Sequence, residues 1–400
     1  LIVADVSSLL LTGATVMLAT SHGTHRSTSF GLAIAFLAAL AVPPLVKAEA
    51  PSKASESGNV ILVLVDGLRT QEMFAGADER LLNKEAGGVP DPEGLKKQFW
   101  RDTPEARREV LMPFMWGTIA RKGQVFGNQA KGCAVQLSNT FWFSYPGYSE
   151  MFVGYADPAI DSNDKRPNPN VTVFEWLNGR PGFKGRVAGF GAWDVVDWIL
   201  NRDRCGFPVN AGFDPMPDEG NAQLQLLNRL KAEVPAPWDG EPYDAITLYS
   251  AIEHIKVHKP RATVITLGET DGYGHDGRYD RYLDAAKRTD GFLKTLWETV
   301  QAIPEYRDRT TLIVATDHGR GSSPSEWRSH GSKLDGSQYV WVALFGPATP
   351  ALGERSDVPS LKLAQVAATV AAAVGEDYTA AVAKAAPVLD GAIRRLAAAK

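Results

Sequence analysis

Three short apolar runs, each closed by an acidic residue, constrain this chain most. Residues 59–65 (NVILVLV) end in Asp66, residues 262–267 (ATVITL) run into Glu269 and Asp271, and residues 311–316 (TLIVAT) end in Asp317. Continuous β-branched runs bounded by Gly and Asp predict strands covered on both faces, as in a parallel sheet. In open α/β sheets, ligands bind beyond the carboxyl ends of such strands. A chain folded this way brings Asp66, Asp271 and Asp317 to one edge. His275 in GETDGYGH, His318 in ATDHG and His330 in SHG complete a set of six. Carboxylate oxygen and imidazole nitrogen suit hard and borderline divalent cations, so the six predict two metal sites. Taken singly, each Asp is equally a turn or cap residue and each His a hydrogen-bonded one. It is the agreement of order, spacing and strand context that points to chemistry.

Further strands are predicted at 186–190 and 339–344, and helices at 105–122, 219–232, 278–302 and 360–374. The stretch 278–302 places apolar residues at three- and four-residue steps and should pack on the sheet by one face. Helices alternating with parallel strands predict an α/β fold, a three-layer α/β/α sandwich with a mostly parallel central sheet. Residues 51–400 read as one catalytic domain. Within it, 195–258, rich in Pro, Gly, Asn and Trp, reads as loops with a small inserted cap. Four hundred residues, 44% hydrophobic and 22% charged, are enough for a sizeable core. A net charge of −4 without a Lys/Arg tract gives no footprint for nucleic acid as an obligate partner.

Residues 1–50 stand apart. His25 and Arg26 precede the apolar run 30–46, and Ala48-Glu-Ala50 supplies a small-x-small cleavage signal, which predicts a secretory signal peptide cut after Ala50. Met17 opens a more typical signal, making 1–16 an upstream segment. The rival is an uncleaved membrane anchor, which Pro43 and Pro44 in a run of about seventeen residues disfavour. Export predicts a periplasmic or secreted protein, where Cys133 and Cys205 meet oxidising conditions that permit one disulfide. The Ala-rich tail from Tyr378 reads as a helix or a frayed end. His254 and His258, an i, i+4 pair without a third ligand, read as a solvated helix face.

The order Asp, nucleophile, Asp-x-x-x-His, Asp-His-Gly, His-Gly resembles the alkaline phosphatase superfamily, within it the type I phosphodiesterase/nucleotide pyrophosphatase branch and its bacterial phosphomonoesterase relatives. The resemblance spans most of 58–346. It implies one ion on Asp271, His275 and His330 and another on Asp66, Asp317 and His318. It also implies a nucleophile: Ser144 stands two residues before Pro146 and ten before Gly154, as in the family's nucleophile turn. Thr140 and Ser149 are the rivals, since Gly147-Tyr-Ser149-Glu150 echoes the Gly-Asn-Ser-Glu of cofactor-independent phosphoglycerate mutases. The mutase serine also keeps ten residues to a Gly, however, and Ser149 has Ala159 there.

Phosphate esters repel nucleophiles and hydrolyse extremely slowly unaided, and paired divalent ions answer both difficulties. The resemblance therefore implies a metal-dependent phosphoric ester hydrolase that passes through a phosphoseryl intermediate, with a lean to small monoesters. Diester hydrolysis, a phosphomutase and a non-catalytic metal-binding envelope protein are the alternatives. Zinc suits the ligand set, with manganese or calcium behind it. Asn163, Lys165 and Asn168, in a polar run after the nucleophile turn, are the candidate donors to substrate oxygens, and Trp193, Trp198 and Phe207 are candidate stacking residues. Neither cysteine lies in the Cys-x-Pro-x-Arg frame that sulfatases convert to formylglycine, which weakens the aryl-sulfatase alternative.

Overall fold

A computed structural model describes residues 58–356 and 358–394; the expected signal segment and its cleavage point lie outside them. In chain order the strands are β1 (Asn59–Val65), β2 (Gly123–Phe126), β3 (Val135–Gln136), β4 (Val187–Gly191), β5 (Val209–Ala211), β6 (Ala262–Leu267), β7 (Thr310–Ala315), β8 (Tyr339–Val340), β9 (Val342–Phe345), β10 (Gly353–Glu354) and β11 (Leu361–Lys362). Eight of them form one sheet in the order β10-β2-β9-β7-β1-β6-β4-β5, and β11-β3-β8 form a small second sheet. Within the large sheet only β9 runs antiparallel to its neighbours. The large, mostly parallel sheet is the one expected.

Strand β1 shows why the sheet is covered twice. All seven of its residues are buried. Ile61, Val63 and Val65 join a core with Leu283 and Leu293 of the helix Tyr279–Ala302 and Ile252 of the helix Asp244–His258. Val60, Leu62 and Leu64 join the opposite core with Tyr148 and Phe152 of the helix Ser144–Val153 and Val366 and Val370 of the helix Gln365–Ala373. Period-2 alternation thus divides one apolar strand between two helical layers, each side chain contributing roughly 1.5–3 kcal/mol of burial.

Registry then sets the working edge. Leu64 lies opposite Ala315 of β7 on one side and Thr266 of β6 on the other, and Thr266 faces Gly191 of β4. Four parallel strands therefore end level, and their next residues lead to Asp317, Asp66, Asp271 and Trp193.

Several elements differ from expectation. Pro113 interrupts 105–122: a helix covers Pro104–Leu111 and a wider π turn Met115–Ile119, where Asp290 accepts the Phe114 and Met115 N–H groups at 2.7 Å. Proline removes a helical donor and clashes with the preceding turn. The run 339–344 is two strands in two sheets, parted at Trp341, whose buried indole N–H donates to the Leu68 carbonyl at 2.8 Å. Residues 360–374 open with β11 before the helix Gln365–Ala373 begins, and only Tyr378–Ala381 is helical in the described part of the tail. The segment 195–258 does not stand off as a cap. It supplies edge strand β5, a helix on the sheet face and the helix Ala222–Glu233, whose Leu224 and Leu227 enter the same core.

Cys133 and Cys205 are free and buried, each beside its own local backbone, so no disulfide joins them. The histidine pair is also not a solvated face: His254 is buried edge-on against Phe190, with ring centroids 5.2 Å apart, and only His258 is exposed. Burial, then the neighbouring His258, lowers the His254 pKa from 6.5 to about 4. Between these values the unfolded chain binds a proton that the folded one does not, so stability declines as pH falls from 6.5 towards 4, by about 3 kcal/mol. His254→Phe should flatten this part of the pH–stability profile measured by urea unfolding; an unchanged slope would contradict the assignment.

Candidate functional site

The helix Ser144–Val153 begins at Ser144, which is 5% exposed. Two residues earlier Trp142 adopts φ 57°, a left-handed conformation that costs a bulky residue roughly 1–3 kcal/mol. Asn139 holds it there: its Oδ1 accepts the Phe141 and Trp142 N–H groups and its carbonyl accepts the Trp142 indole N–H. Asn139 is fixed in turn by Glu150, six residues into the helix and 1% exposed, whose carboxylate accepts the N–H groups of Ser138, Asn139 and Ala364 and the Asn139 amide. Burial raises the Glu150 pKa against the pull of these bonds. Gly147 faces Asp317 across the site, and a Cβ there would lie 2.5 Å from the Asp317 carbonyl oxygen. Only glycine lets the helix come this close.

His318 occupies the centre, fully buried. Its Nδ1 lies 2.8 Å from the Gly319 carbonyl, which can only accept, so Nδ1 carries a proton and Nε2 is turned towards the acids. That nitrogen lies 3.2 Å from Asp66 Oδ1, 3.3 Å from Asp317 Oδ2 and 3.3 Å from Ser144 Oγ. Each carboxylate has its other oxygen held: Tyr148 donates to Asp66 Oδ2 at 2.9 Å and the Gly67 N–H to Asp317 Oδ1 at 3.1 Å. The two oxygens facing His318 are buried without a hydrogen-bond donor. Burial first, then Asp66, push the Asp317 carboxyl well above the usual range. Burial opposes a charge on His318, but Asp317 and Asp66 outweigh it and raise the imidazole to about 9. Two carboxylate oxygens converging on one imidazole nitrogen form a cluster that a cation satisfies, a proton on Nε2 or a divalent ion in its place.

A second cluster lies beside it. His275 Nε2 is 3.1 Å from Asp271 Oδ2 and 3.0 Å from His330 Nε2, and His330 Nε2 is 3.7 Å from Asp271 Oδ1. The His318 and His330 rings stack with centroids 3.9 Å apart, and His318 Nε2 lies 3.9 Å from Asp271 Oδ1, which joins the clusters. Burial opposes ionisation of Asp271, but Arg320, in contact with its carboxylate, and His275 hold it well below the ordinary value. Asp66, Asp317 and His318 gather within reach of one ion and Asp271, His318 and His330 within reach of another, donor types that suit divalent metals, with His275 beside the second group.

These groups open into a cleft of about 340 Å³ lined by Asp66, Ser144, Asn163, Trp193, Glu241, Gly268, Asp271, His275 and His330. All six acid and imidazole residues singled out in the sequence meet here, with Ser144 among them. Asn163 lines the cleft, its Oδ1 accepting the Tyr145 N–H at 3.0 Å. Lys165 does not: its Nζ pairs with Asp194 at 2.7 Å outside the cleft. Asn168 is fully buried and staples Ser149 Oγ to the Ile199 carbonyl, a structural post that also accounts for Ser149. Thr140 is exposed and outside the lining. Of the aromatic candidates only Trp193 lines the cleft; Trp198 borders a separate hollow and Phe207 is packed in the core. Arg320, Tyr148 and Glu241 escaped the sequence reading. Arg320 directly follows Asp-His-Gly, and Tyr148 is one helical turn from Ser144. Glu241 lies in a Pro/Gly stretch and carries no pattern.

A family model described as Metalloenzyme superfamily matches residues 243–377, which carry Asp271, His275, Asp317, His318 and His330. No curated protein matches the sequence. Among solved structures, a putative sulfatase from Bacteroides thetaiotaomicron superposes with a TM-score of 0.52 at 13% identity, over 84% of this chain and 74% of that one. A 2-O GAG sulfatase gives 0.52 at 13% identity over 84% and 73%. The lipoteichoic acid synthase LtaP from Listeria monocytogenes gives 0.50 at 12% identity over 81% and 74%. At such identities these structures speak for the fold alone. Residues 243–377 thus resemble the metalloenzyme superfamily, and the chain as a whole has an alkaline phosphatase-like α/β fold.

Proposed function

We propose that the protein is a metal-dependent hydrolase of phosphoric esters with Ser144 as nucleophile. One observation carries this: Ser144 Oγ lies 3.3 Å from His318 Nε2, at the start of a buried helix and on the floor of a cleft bordered by both clusters. Asp66, Asp317 and His318 would hold one divalent ion, and Asp271, His275 and His330 the other. Zinc fits the mixed oxygen and nitrogen donors best, manganese next, and calcium, which prefers all-oxygen sets, least. Such ions, when bound, lower the pKa of a coordinated hydroxyl and offset the charge of phosphate oxygens.

The chain's own groups do the rest. Tyr148 and the Gly67 N–H fix the carboxylates of Asp66 and Asp317, and Arg320 fixes Asp271, so the donors are preorganised. The amino end of the Ser144 helix favours negative charge beside Oγ. Asn163, on the cleft wall, offers its amide to a non-bridging oxygen. Ser144 Oγ, its proton given up to solvent, forms a bond to phosphorus as the ester P–O bond breaks; the alkoxide takes a proton from water and departs as the alcohol, and water then hydrolyses the phosphoserine to phosphate and the free serine hydroxyl.

Sulfate esters fit this site less well. Neither cysteine is near Ser144, and the Ser144-x-Pro146 frame continues to Tyr148 rather than Arg, with the tyrosine hydroxyl committed to Asp66. A monoester needs cationic donors for its third charged oxygen, but Lys165 and Arg166 are both engaged with acids outside the cleft, so mono- and diesters stand level. The N-terminal signal, if it acts as read, places this activity in the periplasm or outside the cell. Among the described residues no helix is long and apolar enough to cross a membrane.

Ser144→Ala should lower turnover of para-nitrophenyl phosphate or its bis ester by at least about a thousandfold, while elemental analysis finds the metal content of the parent. Chelation should abolish turnover and zinc restore it. If metal-replete protein leaves both esters intact, the proposal fails. Glu150→Ala, which orphans four donors around the nucleophile turn, should destabilise the protein by about 3 kcal/mol in urea unfolding and reduce kcat with little change in KM; full stability would show that the strap is not under tension.

A further inference from the structure

One carboxylate in the cleft has no partner. Glu241 shares the lining with Ser144, Trp193 and Asp271. Its acidic neighbours are satisfied: Asp244 accepts the Gly268 and Glu269 N–H groups, and Glu269 accepts the Asp244 N–H and pairs with Arg288. No hydrogen bond or ion pair from the described residues reaches the Glu241 carboxylate. Gly268 makes the room for it, since any side chain at 268 would collide with that carboxylate. The position is held open for an acid that the fold leaves unanswered.

Charge at the site explains what is wanted. Asp66, Asp271, Asp317 and a deprotonated Ser144, set against two divalent ions and Arg320, leave one net positive charge, which a phosphate dianion more than balances. Glu241 then adds one negative charge that neither the protein nor the phosphate balances. A monoanionic diester would ease the total but leave Glu241 itself bare. Trp193, half-buried on the same wall, is T-shaped to Tyr148 with centroids 6.3 Å apart, and an indole face attracts cations.

We infer that Glu241 is a specificity-determining residue, selecting phosphate esters whose alcohol carries an ammonium group, which sits between the Glu241 carboxylate and Trp193. This rests on the phosphoric-ester proposal above. Glu241 is partly exposed at the cleft; partial burial, then Asp244, Asp66 and Asp271, raise its carboxyl above the ordinary range and favour the protonated form, and a ligand ammonium beside it favours the ionised form that carries the charge counted above.

Calorimetric titration of metal-replete protein with 2-aminoethylphosphonate and with its neutral isostere propylphosphonate tests the inference without turnover. Wild type should bind the amine at least about tenfold more tightly. Glu241→Gln should reduce that preference below about twofold while retaining the parent metal content, and Trp193→Leu should reduce it by a few-fold. Equal affinities in wild type, a preference that survives in Glu241→Gln, or loss of metal from that variant, which would make Glu241 a ligand, each overturns the inference. The wild-type comparison needs no variant and decides the matter even if Glu241→Gln fails to fold. Protein that cleaves para-nitrophenyl phosphate but shows no amine preference refutes this inference alone; protein that prefers the amine but cleaves no ester refutes the hydrolase and leaves Glu241 as a binding residue.

Discussion

Parallel pairing of β7, β1 and β6 in level register is what the rest of the molecule depends on. Val65 pairs with Leu267 and Leu64 with Ala315, so the chain leaves three neighbouring strands at nearly one height. Neighbouring strands lie roughly 4.8 Å apart, and short side chains projecting from their ends converge within coordination range. Asp is short enough to keep that geometry, whereas longer acids would spend conformational entropy to reach the same point. A register slip of one residue would turn the Ile61-Val63-Val65 face to the other layer and carry Asp66 out of reach. The apolar burial that fixes the register therefore also fixes the site.

On this platform the helix from Ser144 is pressed against the backbone of Asp317 through Gly147, and the turn before it carries the strain of Trp142. Strain persists where surroundings over-determine it. Here Glu150 does so, binding the turn, its own helix and the start of the helix Gln365–Ala373 through one buried carboxylate. Ser144 is thus placed by a polar anchor separate from the metal-type donors, and the two can be perturbed separately.

Much of this was legible in the residues. Runs such as 59–65 and 262–267 appear as strands with the bounds read from them, because continuous β-branched apolar runs have few other stable fates. Helix Tyr279–Ala302 was equally plain from its periodicity. The six acid and imidazole residues were legible because each sits against such a run or in a compact motif. Strands β2, β5 and β10 were not, being two to four residues long and dependent on neighbours for their pairing. The antiparallel direction of β9 and the break at Trp341 are tertiary outcomes without a local signature. Lys165 and Asn168 failed as substrate donors for the same reason: the sequence shows a polar run, but not that Asp194 claims the lysine or that Asn168 is needed inside.

The buried acids around His318 are costly to a folded chain, since charges withdrawn from water must be paired or neutralised. Natural folds tolerate such conflict at functional sites and compensate elsewhere. The compensation is visible: continuous apolar packing on both faces of β1, a hydrogen bond to each oxygen of Asp66 and Asp317 that does not face His318 Nε2, and Arg320 locked against Asp271. The orphaned oxygens of Asp66 and Asp317 are aimed at one small volume beside Ser144 Oγ, and the Glu241 carboxylate lines the same cleft. A scaffold that leaves such a convergent set of acids unanswered places part of its instability where a cation relieves it, and binding free energy at that spot then becomes folding free energy for the whole sheet edge.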